Sequence, residues 1–86
     1  MAYVVVLKKS AEKELQRFPE KIHDRIVNCL VSLREKPRPF GAKKLHGREA
    51  YRVRVGDYRI LYEIQDSASR VLIVTVGHRR EVYRGH

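Results

Sequence analysis

The chain has 86 residues, a formal net charge of +9, a pI near 10.1, one cysteine and no tryptophan. That length predicts one small, marginally stable domain over residues 1–86, which buries roughly 60–65% of its unfolded surface. The charge is in excess of what solubility needs and points to polyanions or acidic partners, whereas the lone thiol excludes an internal disulfide.

The apolar run Val4 to Leu7 is too short for a signal-peptide core or a membrane span. Together with the basic residues, which fall on strands as well as helices, it predicts a soluble cytoplasmic protein with no membrane partner. Tyr3 to Leu7, a short β-branched run ending in Lys8-Lys9, reads as a first strand buried on both faces. Ser10 offers an N-cap oxygen to the helix that follows, with Glu12 and Glu14 near its positive end. Ala11, Leu15 and Phe18 recur at i, i+4 and i+7, a helix of about two turns. Pro19 ends it and suits the first position of a second helix. There Ile22, Ile26, Cys29, Leu30 and Leu33 form the apolar stripe, Cys29 being a core residue. Pro37 stops that helix, and Pro39 and Gly41 extend the connection.

The second half switches to period two. Tyr51, Val53 and Val55 alternate with Arg52 and Arg54, and Gly56-Asp57 is a two-residue hairpin turn. Such a turn pairs Val55 with Tyr58, Arg54 with Arg59, Val53 with Ile60 and Arg52 with Leu61. One face then carries Tyr51, Val53, Val55, Tyr58, Ile60, Tyr62 and Ile64 and must bury itself on the helices. The other carries Arg52, Arg54, Arg59, Leu61 and Glu63 and is expected to stay open. Gln65 to Ser69 is a polar turn, and Val71 to Val76 is an almost wholly apolar strand with a neighbour on each side. It ends at Gly77, where His78, Arg79 and Arg80 emerge. The expected fold class is α+β, a mainly antiparallel sheet of about four strands with an N-terminal helical hairpin on one face, in the order β-α-α-β-β-β.

Like charges opposed across strands destabilise a sheet, so a chain that keeps Arg54 opposite Arg59 is expected to use them on an anion. Guanidinium groups grip phosphate bidentately and stabilise the added negative charge of a pentacoordinate phosphorane. No zinc-ligand spacing is present, and Glu63 and Asp66 do not make the carboxylate cluster of a magnesium site, so neither metal nor cofactor is expected. A metal-free nuclease needs an internal nucleophile, which RNA supplies as its 2′-hydroxyl. His78 and Tyr83 are the proton-transfer candidates; Tyr83 equally suits stacking on an unpaired base. His23 and His46 read as surface residues.

Lys44-Leu45-x-Gly47, the run Tyr51-Arg52-Val53-Arg54-Val55-Gly56-Asp57-Tyr58-Arg59-Ile60-Leu61-Tyr62, and Val76-Gly77-His78-Arg79-Arg80-Glu81-Val82-Tyr83 together resemble the RelE/ParE superfamily of type II toxin–antitoxin toxins, the RelE branch most closely. The resemblance covers essentially the whole chain. It implies a ribosome-dependent mRNA endonuclease that enters the A site, stops translation and is silenced by a cognate antitoxin, with operator DNA met only through the antitoxin complex. It further implies that Arg52 and Arg54 stand where the 2′-hydroxyl is activated, that Arg59 stabilises the transition state and Arg79 the leaving group, and that Tyr83 orients a base. Lys43, Lys44 and Arg80 are the expected further RNA contacts. The chain departs from the family's best-known pattern in having arginine rather than lysine at 52 and 54, and arginine does not give up its proton. Either His78 or Tyr83 is then the base, or catalysis rests on positioning and electrostatics. Two alternatives follow from the departure: a gyrase inhibitor of the ParE type, or a non-catalytic module that binds RNA or antitoxin.

Overall fold

The computed structural model describes residues 2–45 and 50–78. Strand β1 (Val4–Leu7) leads directly into α1 (Lys9–Gln16) and α2 (Glu20–Ser32); β2 (Lys43–Lys44), β3 (Ala50–Val55), β4 (Tyr58–Gln65) and β5 (Arg70–His78) follow. The sheet has five strands in the order β1-β5-β4-β3-β2. β1 runs parallel to β5 and the other pairings are antiparallel. The α+β architecture is as expected. The sheet gains one strand over the expectation, the short β2, whose two lysines pair with Arg52 and Tyr51.

β1 is not buried on both faces: Val4 and Val6 are exposed while Val5 and Leu7 pack towards the core. It is an edge strand, and the helices cover one face of the sheet only. Ser10 is not the N-cap of α1. Lys8, still extended, occupies that position; its N–H donates to the Ile73 carbonyl (3.0 Å) and its own carbonyl accepts from Glu12 (2.9 Å). The chain passes from strand to helix without a linker, so Ser10 is already in the first turn. Pro19 (φ −55°) is the N-cap of α2, one residue earlier than expected, and α2 ends at Ser32, where Leu33 donates back to Cys29 and Leu30. Hydrogen-bonded turns continue to Lys36 before Pro37.

Ala11 and Leu15 from α1, Ile26 and Leu30 from α2, and Leu33 pack on Tyr51, Val53, Ile60, Tyr62 and Ile64. Cys29 is half-buried at the margin of this core, and burial pushes its thiol above the usual range. The β3–β4 register is the one the two-residue turn demands, from Val55↔Tyr58 to Ala50↔Glu63. Gly56 adopts φ +58°, the left-handed value such a turn needs and a side chain resists. A bulge interrupts the β4–β5 ladder: Leu61 pairs with Thr75, but Tyr62 pairs with Ile73. Val74 is the extra residue. It reverses which side of β5 faces the helices, which is why Val71, Ile73 and Val76 are all buried although their spacing breaks period two. β1 covers β5 only as far as Ile73; beyond it, the Glu14 carboxylate on α1 accepts from the Val76 N–H at 3.3 Å.

A polar clasp ties the α2–β2 connection to the sheet. Arg38 donates through Nη2 to Asp66 (2.9 Å) and through Nε to the Tyr51 hydroxyl (3.0 Å), its guanidinium carbon 5.2 Å from the Tyr51 ring centroid. Tyr3 donates to the other Asp66 oxygen (2.6 Å), and Tyr62 to the Pro37 carbonyl (2.7 Å). Burial raises the Tyr62 hydroxyl to about 12, so it remains a donor. Among the described residues no helix is long and apolar enough to cross a membrane.

Hydrogen bonds from Arg38 first and Tyr3 second hold the Asp66 carboxyl below its usual range. A depressed native pKa contributes stability above the unfolded pKa and loses it as pH falls through the native one. The stability difference between wild type and Asp66→Asn, read from urea midpoints, is therefore expected to hold near neutral pH and to narrow as the pH is taken from about 6 to about 3.

Candidate nucleic-acid interface

Three strands bring the basic side chains together. The pleat sends Arg52 and Arg54 to one face of β3, and the register places Arg59 of β4 directly opposite Arg54. β2 adds Lys43 opposite Arg52. On its other side Arg59 faces Gly77, which has no side chain to set against it; a glycine inside a strand suits close approach by a ligand.

These cations share a recess of ≈ 350 Å³ in which Lys43, Arg52, Arg54 and Arg59 are joined by Phe40 and Gly41 of the connection. The expected open face is thus only partly open. Arg54 is exposed, Arg52 is half-buried, and Arg59 is only 8% exposed. Leu61 on the same face is buried too. β2 and the turn at Phe40-Gly41 build a wall that the sequence presents only as a connection. An arginine in such a recess is partly stripped of water and fixed in direction, which strengthens its pull on a phosphate.

Other expected residues separate from this group. Lys44 is the register partner of Tyr51 rather than of Arg52, so the pleat turns it to the other side from Lys43. His78 pairs with Tyr58 on the helix-covered face; its ring meets the Tyr58 ring edge-on at 5.7 Å, and Tyr58 in turn packs on Phe18 at 4.9 Å. The fold does not bring His78 to the arginine recess, because β5 turns alternate residues to opposite faces and Gly77 takes the recess side. Asp66 lies in the clasp with Arg38 and Tyr3 rather than beside the arginines. Arg79, Arg80 and Tyr83, like His46, lie outside the described residues. Tyr51 and Tyr62 stack on each other in the core at 5.9 Å and are no platform for bases. Two residues that sequence reasoning missed, Arg38 and Phe40, flank Pro39; a Pro-x-Gly run was the signal, being the usual surround of a tight turn.

The opposed arginines lead to a stability test. Cross-strand pairs contribute roughly 0.2–1 kcal/mol, with the sign set by charge. Arg54→Glu replaces repulsion by attraction to Arg59 and is expected to raise the thermal midpoint by about 1–5 °C, as measured by circular dichroism at low salt.

Similarity to known proteins follows the same lines. A model of the family described as the ParE toxin of type II toxin–antitoxin systems matches residues 5–83. The chain is 34% identical over 84 residues to toxin RelE of Mycobacterium tuberculosis, covering 95% of this chain and 87% of that protein. It is 31% identical over 88 residues to the mRNA interferase toxin RelE of Escherichia coli, covering 96% and 92%. A RelBE toxin–antitoxin complex from M. tuberculosis superposes with a TM-score of 0.82 at 29% identity, over 92% of this chain and 100% of that one. A mutant of E. coli RelE in complex with an antitoxin peptide gives 0.80 at 26% identity, over 99% and 94%.

Proposed function

The chain belongs to the ParE toxin family of type II toxin–antitoxin systems, on its RelE branch, and from that premise we propose that it cuts messenger RNA on the ribosome by activating the RNA's own 2′-hydroxyl. The observation that carries this reading is the juxtaposition of Arg54 and Arg59 beside Arg52 in one recess. It supports a phosphate there because guanidinium groups converging on one recess can grip its oxygens bidentately.

In the proposed reaction the 2′-oxygen attacks the adjacent phosphorus, the bond from phosphorus to the 5′-oxygen breaks, and a 2′,3′-cyclic phosphate is left. Arg52 and Arg54 clamp the phosphate and align the attack. Arg59, fixed and poorly hydrated, stabilises the negative charge that builds on the non-bridging oxygens. Arginine remains protonated throughout, so the 2′ proton goes to another group and a proton returns to the leaving 5′-oxygen. His78, turned to the helix face, is poorly placed for either step. We assign proton transfer to Tyr83 and neutralisation of the leaving group to Arg79. Lys43 extends the clamp along the backbone, with Arg80 as a further RNA contact, whereas Lys44, turned to the other side of β2, is left out of it. A cognate antitoxin carrying an acidic or amphipathic segment would silence the toxin, and operator DNA would be reached only through that complex; the RelBE complexes solved for relatives support the first of these partners. The setting is the cytoplasm, where ribosomes with an empty A site are met.

A second reading, inhibition of DNA gyrase, is favoured by one observation, the ParE designation of the matching family. Primer extension on mRNA from cells expressing wild type, Arg79→Ala and Arg59→Ala separates the two. Cuts inside translated codons are expected for wild type and absent for Arg79→Ala, with a loss of roughly 10²–10³-fold in rate for Arg59→Ala. Blocked supercoiling with uncut mRNA would replace the nuclease reading by the gyrase one. His78→Ala is expected to cut within about threefold of the wild-type rate, which measures how little its helix-face position contributes to the chemistry.

A further inference from the structure

Phe40 is the most exposed large apolar residue among those described, at 108% of the reference accessibility. A phenylalanine left in water forgoes about 1.5–3 kcal/mol of burial, and this one is held out by the backbone. The Ala42 N–H donates to the Pro39 carbonyl at 3.0 Å, and Gly41 takes φ +94°. Those features define a type II β-turn with Phe40 at its second position, the outer corner. A Cβ on Gly41 would meet nothing within 4 Å, so the positive φ is what calls for glycine there.

The turn is anchored rather than loose. Arg38, two residues before, is held by Asp66 and Tyr51, and the Pro37 carbonyl by Tyr62. The corner stands on the rim of the recess that holds Lys43, Arg52, Arg54 and Arg59. A rigidly presented aromatic face next to phosphate-binding cations is the arrangement by which proteins hold single-stranded RNA: the cations track the backbone and the ring stacks on a base.

Resting on the RNA-cleaving reading above, we propose that Phe40 is the stacking platform for one unpaired nucleobase of the RNA whose phosphate lies in the arginine recess. Phe40 then sets the register of the strand over Arg54 and Arg59, and the Arg38 clasp is the positioning device behind it. Stacking is tolerant of base identity because every base has a π-face, so this contact orients the strand more than it reads sequence.

The test is single-turnover cleavage on ribosomes programmed with a message whose A-site codon is empty, intact or carrying one abasic residue at each codon position or flanking nucleotide in turn. Phe40→Ala is expected to slow cutting of the intact message roughly tenfold, and Phe40→Trp to restore it. At one position, removing the base should slow wild type by a similar factor and Phe40→Ala no further, the non-additivity that marks a direct contact. Equal slowing of Phe40→Ala by base loss at every position would overturn the proposal. So would wild-type cutting by Phe40→Ala with neutralisation by the co-expressed antitoxin lost, since the ring would then serve a protein partner. Arg54→Ala separates this failure from that of the underlying reading: if it slows cutting while Phe40→Ala does not, only the stacking role falls. If wild type cuts no codon, both fall.

Discussion

Arg54 and Arg59 stand opposite one another because a two-residue turn at Gly56-Asp57 leaves the strands it joins a single register. A slip by one residue would send Val53, Ile60 and Tyr62 to the solvent side and the arginines into the core. Burial of those apolar side chains on the helices therefore holds the cations together against their repulsion. The cluster of cations is a by-product of core packing on the opposite side of the same strands, and its geometry is as rigid as that core.

The rest of the recess depends on how the sheet is finished at its margins. β2 pairs over only two residues, yet it places Lys43 beside Arg52 and carries the connection past the arginine face. The Arg38 clasp restrains that connection from the other end through three chain segments far apart in sequence, at Tyr3, Tyr51 and Asp66. Both members of the Arg38–Asp66 pair are about half exposed, with side-chain accessibilities of 42% and 55%, so solvent weakens their attraction. Its importance lies in direction, since it fixes where the turn at Pro39-Phe40-Gly41 points.

Much of the architecture was legible before any coordinates. The i, i+4, i+7 spacing of Ala11, Leu15 and Phe18 identified α1, although Phe18 packs from just beyond its end. The stripe through Ile26, Leu30 and Leu33 identified α2, and the alternation after Tyr51 gave the hairpin with its pairs. What escaped was decided by distant neighbours. Ser10 looks like a cap until Lys8 is found bonded to Ile73. The run in β1 looks doubly buried until its place at the sheet edge leaves Val4 and Val6 outside. His78 looks ready for proton transfer until the Val74 bulge and the β5 pleat turn it towards Tyr58. Phe40 and Arg38 read as loop residues because the turn and clasp that give them direction require partners elsewhere in the chain.

The amino-acid order by itself determined the hairpin register and hence the Arg54–Arg59 pair, because turn length and period-two alternation are local and act through adjacent residues. It also determined which helix faces are apolar. The tertiary structure alone decided how deeply each arginine lies, which face His78 takes and that Phe40 stands at the rim of the recess. Burial and direction of a side chain depend on segments that meet only after the chain has folded.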